Sequence, residues 1–161
     1  MVKATTKKRK IKAKQRPKNK VRGKRRSHYH TGTHASYKSI TPVSYRSGWE
    51  LTVAKFLDND PNVVAYAYEA LAIPYISNIR KGTVRKYFPD FFVKYKNGRK
   101  VVIEVKRDSH LTNAKVQKKA EAARKWCEKN GYEYEFWTNQ RINELRKFNE
   151  SLEKANAKPK N

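Results

Sequence analysis

Residues 85–107, RKYFPDFFVKYKNGRKVVIEVKR, constrain the fold more than any other stretch. Two apolar runs rich in aromatic and β-branched residues flank Asn97-Gly98, a dipeptide suited to the turn of a β-hairpin. Most of their residues suit the interior of a sheet. Yet Asp90, Glu104 and Lys106 fall among them, and charges are costly to bury without partners.

Register decides whether the three meet. Side chains alternate faces along a strand, so Val102, Glu104 and Lys106 share one face, and Phe88, Asp90 and Phe92 share a face of the preceding run. A two-residue Asn97-Gly98 loop would set Asp90 opposite Val105, facing the wrong way. A three-residue loop, Lys96-Asn97-Gly98 with Gly98 left-handed, sets Tyr95 opposite Arg99 and Asp90 opposite Glu104. One residue of slip therefore separates scattered charges from a site. Two opposed carboxylates repel each other, and a divalent cation is the natural remedy. Hard oxygens in a partly hydrated pocket suit Mg2+, with Mn2+ as the expected substitute. Lys106 beside them could hold a water or a phosphoryl oxygen, which is the apparatus of metal-assisted phosphodiester hydrolysis. On these residues alone, a solvated hairpin face carrying a Glu–Lys pair is the plain alternative.

Charge points to the partner. The chain of 161 residues has a net charge of +25. Residues 1–26 hold fourteen Lys or Arg and no acid, which leaves +11 on the other 135 residues. A basic tail on a basic domain marks a polyanion partner, and double-stranded DNA is the expected one. Lys7, Lys8, Arg9, Arg25 and Arg26 in the tail, and Arg46, Lys115 and Lys118 beyond it, are the expected DNA contacts. The tail, 1–35, lacks the apolar surface needed to offset ordering entropy and reads as disordered until bound. His28, His30 and His34 cluster at its end, but without a fourth ligand nearby they read as a solvated linker rather than a zinc site. A single cysteine, Cys127, excludes an intrachain disulfide and fits a reducing compartment. No apolar run approaches the roughly 20 residues of a membrane span, and the basic start has no apolar segment behind it, so neither a membrane partner nor a secretory signal is expected.

The remaining pattern alternates helices and strands. A helix is expected over about 48–57, with Trp49, Val53, Phe56 and Leu57 on one stripe. VVAYAYEALAIPY reads as one strand, SNIRKGT as a loop, and 84–95 and 99–107 as two more strands. A second helix carries Val116, Ala120, Ala123 and Cys127 on one face and stops at Gly131. YEYEFWT alternates as a strand with one solvated face, and Ile142, Leu145, Phe148 and Leu152 mark a last helix. The fold class is α/β: a mixed central sheet flanked by helices. The organisation is a tail at 1–35, a domain at 36–140, and a C-terminal helix and tail at 141–161.

Pro89-Asp90 followed across a hairpin by Glu104-Val105-Lys106 resembles the PD-(D/E)XK nuclease superfamily, and the element order resembles its αβββαβ restriction-endonuclease-like core. YRSGWE, FLDNDPNV, YEALAIPYIS, RKYFPDFFV and the stretch 111–138 resemble, in order, the head completion nucleases of T-even-type phages. A more distant similarity is to the transposon-end endonucleases of cut-and-paste bacterial transposons. The resemblance implies a magnesium-dependent DNA endonuclease acting on packaged genome ends. It also implies phage head or portal proteins as further partners, and a place in the host cytoplasm and with the virion. It assigns Asp90, Glu104 and Glu50 to the metal and Lys106 to catalysis. Ser47-Gly48-Trp49-Glu50 is equally a capping-box pattern, so Glu50 has a helix-starting role beside the implied ligand role. Glu69, at the end of the first strand, is either a further acid of the site or a solvated strand end. The alternative function is a non-catalytic DNA-binding protein built on the same scaffold, or an end-cutting enzyme of the transposon type.

Overall fold

The computed structural model describes residues 30–157. Its elements are β1 (Gly32–His34), β2 (Val43–Tyr45), α1 (Gly48–Asn59), β3 (Val63–Tyr68), β4 (Ile73–Asn78), β5 (Thr83–Tyr87), β6 (Phe91–Tyr95), β7 (Lys100–Val105), α2 (Ala114–Asn130), β8 (Glu133–Trp137) and α3 (Asn139–Asn156). Strands β3, β6, β7 and β8 form the central sheet in that order. The first two pairings are antiparallel and β7–β8 is parallel, so the sheet is mixed. Helices α1 and α3 cover one face through Val53, Leu57, Ile142 and Leu145, which pack on Tyr66, Phe91, Val93, Val101 and Ile103. On the other face, Ala123 of α2 packs with Ile73, Tyr75 and Tyr87 of the β4–β5 pair.

The β6–β7 register is the one a three-residue loop dictates. Phe91 pairs with Ile103 and Lys94 with Lys100. Tyr95 N donates to Arg99 O at 2.9 Å, and Gly98, at φ 86°, donates to Tyr95 O. That positive φ is open to glycine at little cost.

Three expectations need correction. VVAYAYEALAIPY is not one strand: the chain breaks at Glu69, a non-glycine residue at φ 46°, and resumes as β4. The run 84–95 is likewise broken at Phe88–Asp90, where Pro89 offers no amide to a ladder. The two breaks lie side by side, joined by Glu69 N donating to Asp90 O at 3.0 Å. Together β3–β4 and β5–β6 are one long antiparallel ribbon bent in the middle, and SNIRKGT holds only its tip as loop. Secondly, paired structure begins before residue 36, because Gly32–His34 pairs with Val43–Tyr45. Behind it, Ile40 N donates to Tyr66 O and Tyr66 N to Lys38 O, which covers the β3 edge of the sheet. Thirdly, the solvated face of β8 is only partial: Glu133 and Glu135 are open, but Trp137 on the same face is buried. Tyr134 and Phe136 lie under Arg124 of α2, while Trp137 meets Phe56 of α1.

The tail residues Lys7, Lys8, Arg9, Arg25 and Arg26, and His28, lie outside the described residues. No helix among the described residues is long and apolar enough to cross a membrane.

Candidate active site

Asp90 sits at the bend of the ribbon, one step before β6, and Glu104 is near the end of β7. The register places them opposite each other. Asp90 Oδ2 accepts from the Val105 amide at 2.7 Å. Glu104 is buried; its Oε2 accepts from the Tyr87 hydroxyl at 2.6 Å, and its Oε1 lies 2.8 Å from Lys106 Nζ. Tyr87 in turn meets the Tyr134 hydroxyl at 3.2 Å. The three charges of the hairpin therefore share one place.

The electrostatics follow from crowding. Burial raises the Asp90 carboxyl well above the usual carboxylate range, and the Glu104 and Glu50 charges raise it further, against the Val105 amide and Lys106. Burial alone would lower the Lys106 ammonium. Glu104 outweighs that with help from Asp90 and Glu50, so Lys106 is raised overall. Lys106 thus stays a cation and donor at neutral pH and is not a general base. Burial and the Glu104 charge likewise raise the Tyr87 hydroxyl, which keeps it a donor.

Glu50 stands at the first turn of α1 with both oxygens engaged. Ser47 Oγ, which accepts from Glu50 N, also donates to Oε1 at 2.8 Å. Oε2 accepts from Arg46 N at 2.8 Å and the Tyr68 hydroxyl at 2.6 Å. The box is formed with one change: Glu50 reaches the Arg46 amide rather than that of Ser47. Glu50 nevertheless acts on Asp90 and Lys106 through its charge. Glu69 pairs with Arg46, so Arg46 is tied to a carboxylate beside the bend.

Two cavities flank Lys106. One, of about 300 Å³, is lined by Tyr87, Glu104, Lys106, His110, Lys115 and Lys119. The other, of about 630 Å³, is lined by Trp49, Glu50, Lys106, Arg107, His110 and Arg146. Lys115 therefore borders the site. Lys118 does not: it faces the ribbon, with Nζ 3.5 Å from Ser77 O. His34 Nε2 lies 2.7 Å from Asp58 Oδ2, in a partly buried cluster with Ser36 and Tyr66.

The donor set suits a hard cation in kind, because the carboxylate oxygens of Asp90 and Glu104 meet in a partly buried pocket. It is not a finished cage. Among the described residues, no three His, Cys, Asp or Glu side chains are gathered closely enough to hold an ion as they stand. Sequence reasoning missed Tyr68 and Tyr87, the hydroxyls that hold Glu50 and Glu104. The available signal was their place on inward strand faces, since a buried tyrosine hydroxyl seeks a partner.

A family model described as TnsA-like endonuclease N terminal matches residues 60–139. The chain is also 35% identical over 81 residues to the head completion nuclease of Enterobacteria phage T4, across 45% of this chain and 53% of that protein. The chain is related to both of these nuclease groups. The family match takes in Glu69, Asp90, Glu104, Lys106 and Lys115, whereas Arg46 and Glu50 precede it. The chain spans about half the length of the curated relative.

Proposed function

We propose that this protein is a magnesium-dependent DNA endonuclease that hydrolyses phosphodiester bonds. The observation that carries the reading is the cross-strand meeting of Asp90, Glu104 and Lys106 in a chain related to two nuclease groups. Asp90 and Glu104 would hold Mg2+, or Mn2+ in its place, and the ion would supply Lewis-acid polarisation of the phosphoryl group. Glu50 adds negative charge from the first turn of α1. Tyr87 fixes one oxygen of Glu104 and so limits how its carboxylate can turn. Lys106, kept charged, donates to a phosphoryl oxygen or orients the attacking water. Water oxygen bonds to phosphorus and gives its proton to solvent as the opposite P–O bond breaks, and the leaving oxygen departs with the bonding pair and takes a proton from solvent. Lys115 and Lys119, in the wall of the smaller cavity, are placed to receive flanking phosphates.

The phage relative supports a role at packaged genome ends as a head is completed, with head or portal proteins as partners, in the host cytoplasm and the virion. The family match supports the neighbouring reading of an end-cutting enzyme of the transposon type. One observation favours a different class: Glu104 Oε1 is already paired with Lys106, as in a scaffold that binds DNA without cutting.

Incubation with linear and circular plasmid, with and without magnesium, tests the proposal. The parent should cut only with the cation. Lys106→Ala should abolish cutting while DNA binding stays within a few-fold. Asp90→Ala should lose cutting together with the melting-temperature gain on adding magnesium. Parent protein that binds plasmid but never cuts it would leave the non-catalytic reading standing.

A further inference from the structure

Beyond its bend the long ribbon becomes an arm that lies along α2 and ends in an exposed tip. There β4 and β5 leave the central sheet and pair only with each other. Ile73, Tyr75 and Tyr87 pack inward beside α2, and Ile76 and Ile79 border a cavity walled on its other side by Lys118, Glu121, Ala122 and Lys125 of α2, while the outer side of the arm is exposed. Ile76 is 54% exposed, Ile79 76%, Val84 62% and Phe88 48%, which is half of the large apolar side chains exposed among the described residues. Ile76 and Val84 are cross-strand partners and so form one patch. Ile79 opens the tip, Ile79-Arg80-Lys81-Gly82, which is closed by Gly82 N donating to Ile79 O at 3.2 Å and Lys81 N to Asn78 Oδ1 at 3.1 Å. Arg80, Lys81, Arg85 and Lys86 are all exposed on the same arm, and no acid occurs between residues 70 and 89.

Exposed aliphatic groups at a tip flanked by cations match a partner that is anionic outside and apolar within. A second copy of this chain would bring cations against cations. An anionic membrane shares the chemistry, but the arm is rooted in the candidate site, where Tyr87 at its base bonds Glu104 at 2.6 Å. Whatever lies in that cleft lies beside the arm. We propose that the β4–β5 arm grips the DNA duplex flanking the cleft, with Arg80 and Lys81 on phosphates and Ile79 wedged at a base step, as minor-groove wedges do. The proposal rests on DNA being the substrate. From Tyr87 to the tip is five residues of strand, or about 17 Å, so the tip meets DNA roughly five base pairs from Glu104.

The test uses the full chain in EDTA with an end-labelled duplex of about 30 base pairs, so that no cleavage is needed. Arg80→Gln with Lys81→Gln should flatten the slope of log K against log salt by about 1.8, with melting unchanged. Ile79→Ser should keep that slope but lose the bend read as energy transfer between the duplex ends. Variants that bind and bend DNA as the parent does overturn the arm, as does a loss of binding to anionic vesicles with none to DNA. Plasmid cutting by the parent separates the two claims. A protein that cuts while its arm variants bind normally refutes only the arm, and one that bends DNA through the arm without cutting refutes only the nuclease reading.

Discussion

Asp90 carries the most crowded charge of the site. Its carboxyl is raised in the fold by burial and by Glu104 and Glu50. Below the unfolded value, near pH 4, it is protonated in both states and costs nothing. As pH rises toward the raised folded value, the folded state binds the extra proton and stability falls. Asp90→Asn keeps an acceptor for the Val105 amide and removes the charge. In EDTA this variant should melt above the parent at pH 7, with the two converging near pH 4; parallel melting curves across that range would show that Asp90 is not strained. Glu50 tests the same field from the other side. Glutamine can accept from Arg46 N and Tyr68 and donate to Ser47 Oγ, so Glu50→Gln should hold metal-free stability within about 0.5 kcal/mol, less than the roughly 1 kcal/mol of a typical lost cap. It should nonetheless lose most of the magnesium-dependent gain in melting temperature. An undiminished gain would confine Glu50 to starting the helix.

Among the elements, the β6–β7 turn carries the site. Lys96, Asn97 and Gly98 fix the register, and register fixes the face on which Asp90 stands. Inserting one residue between Lys96 and Asn97, with the three-residue turn kept as the inserted residue, Asn97 and Gly98, should pair Lys96 with Arg99 and move Asp90 opposite Val105. The expected result is a protein that still folds on α1, α3 and the remaining strands but has lost cutting and the magnesium response entirely. Cutting at a tenth of the parent rate or better would show that the ribbon bend, not the turn, positions Asp90. The bend has its own signature in Glu69, which holds a backbone conformation that favours glycine while its amide bonds Asp90 O. Such strain persists where surrounding structure enforces it, here where the arm departs from the sheet and where Asp90 must stop pairing as a strand residue.

For the whole molecule, charge is the dominant property. The fourteen cations of residues 1–26 form over half of the +25. Each phosphate contact contributes about 0.9 to the slope of log K against log salt, so removing 1–26 should flatten DNA binding by several units. Cutting at low salt should survive, because Asp90, Glu104 and Lys106 lie elsewhere. A slope unchanged by the truncation would assign the tail to an acidic protein. The remaining +11 stays with the domain, including the lysines of α2 and the four cations of the arm.

Local chemistry was legible in the sequence wherever it is decided by a few neighbours. Asn97-Gly98 and the alternation around it specified the hairpin and, given a three-residue loop, the pairing of Asp90 with Glu104. Asn113 and Gly131 bound α2: the Asn113 side chain accepts from Lys115 N and Val116 N, and Gly131 closes the end at φ 68°. The mixed sheet between helices followed from the order of such segments. What the sequence could not decide was where a strand-like run must break. VVAYAYEALAIPY has strand residues throughout, and only tertiary packing bends it at Glu69, because Ile73, Tyr75 and Tyr87 bury themselves against α2 rather than in the central sheet. The same packing brought Tyr87 to Glu104 and Tyr68 to Glu50, partners 17 and 18 residues apart whose meeting no local pattern encodes. Backbone propensity acts over a few residues, whereas the partner of a buried hydroxyl or carboxylate is set by which faces close on each other.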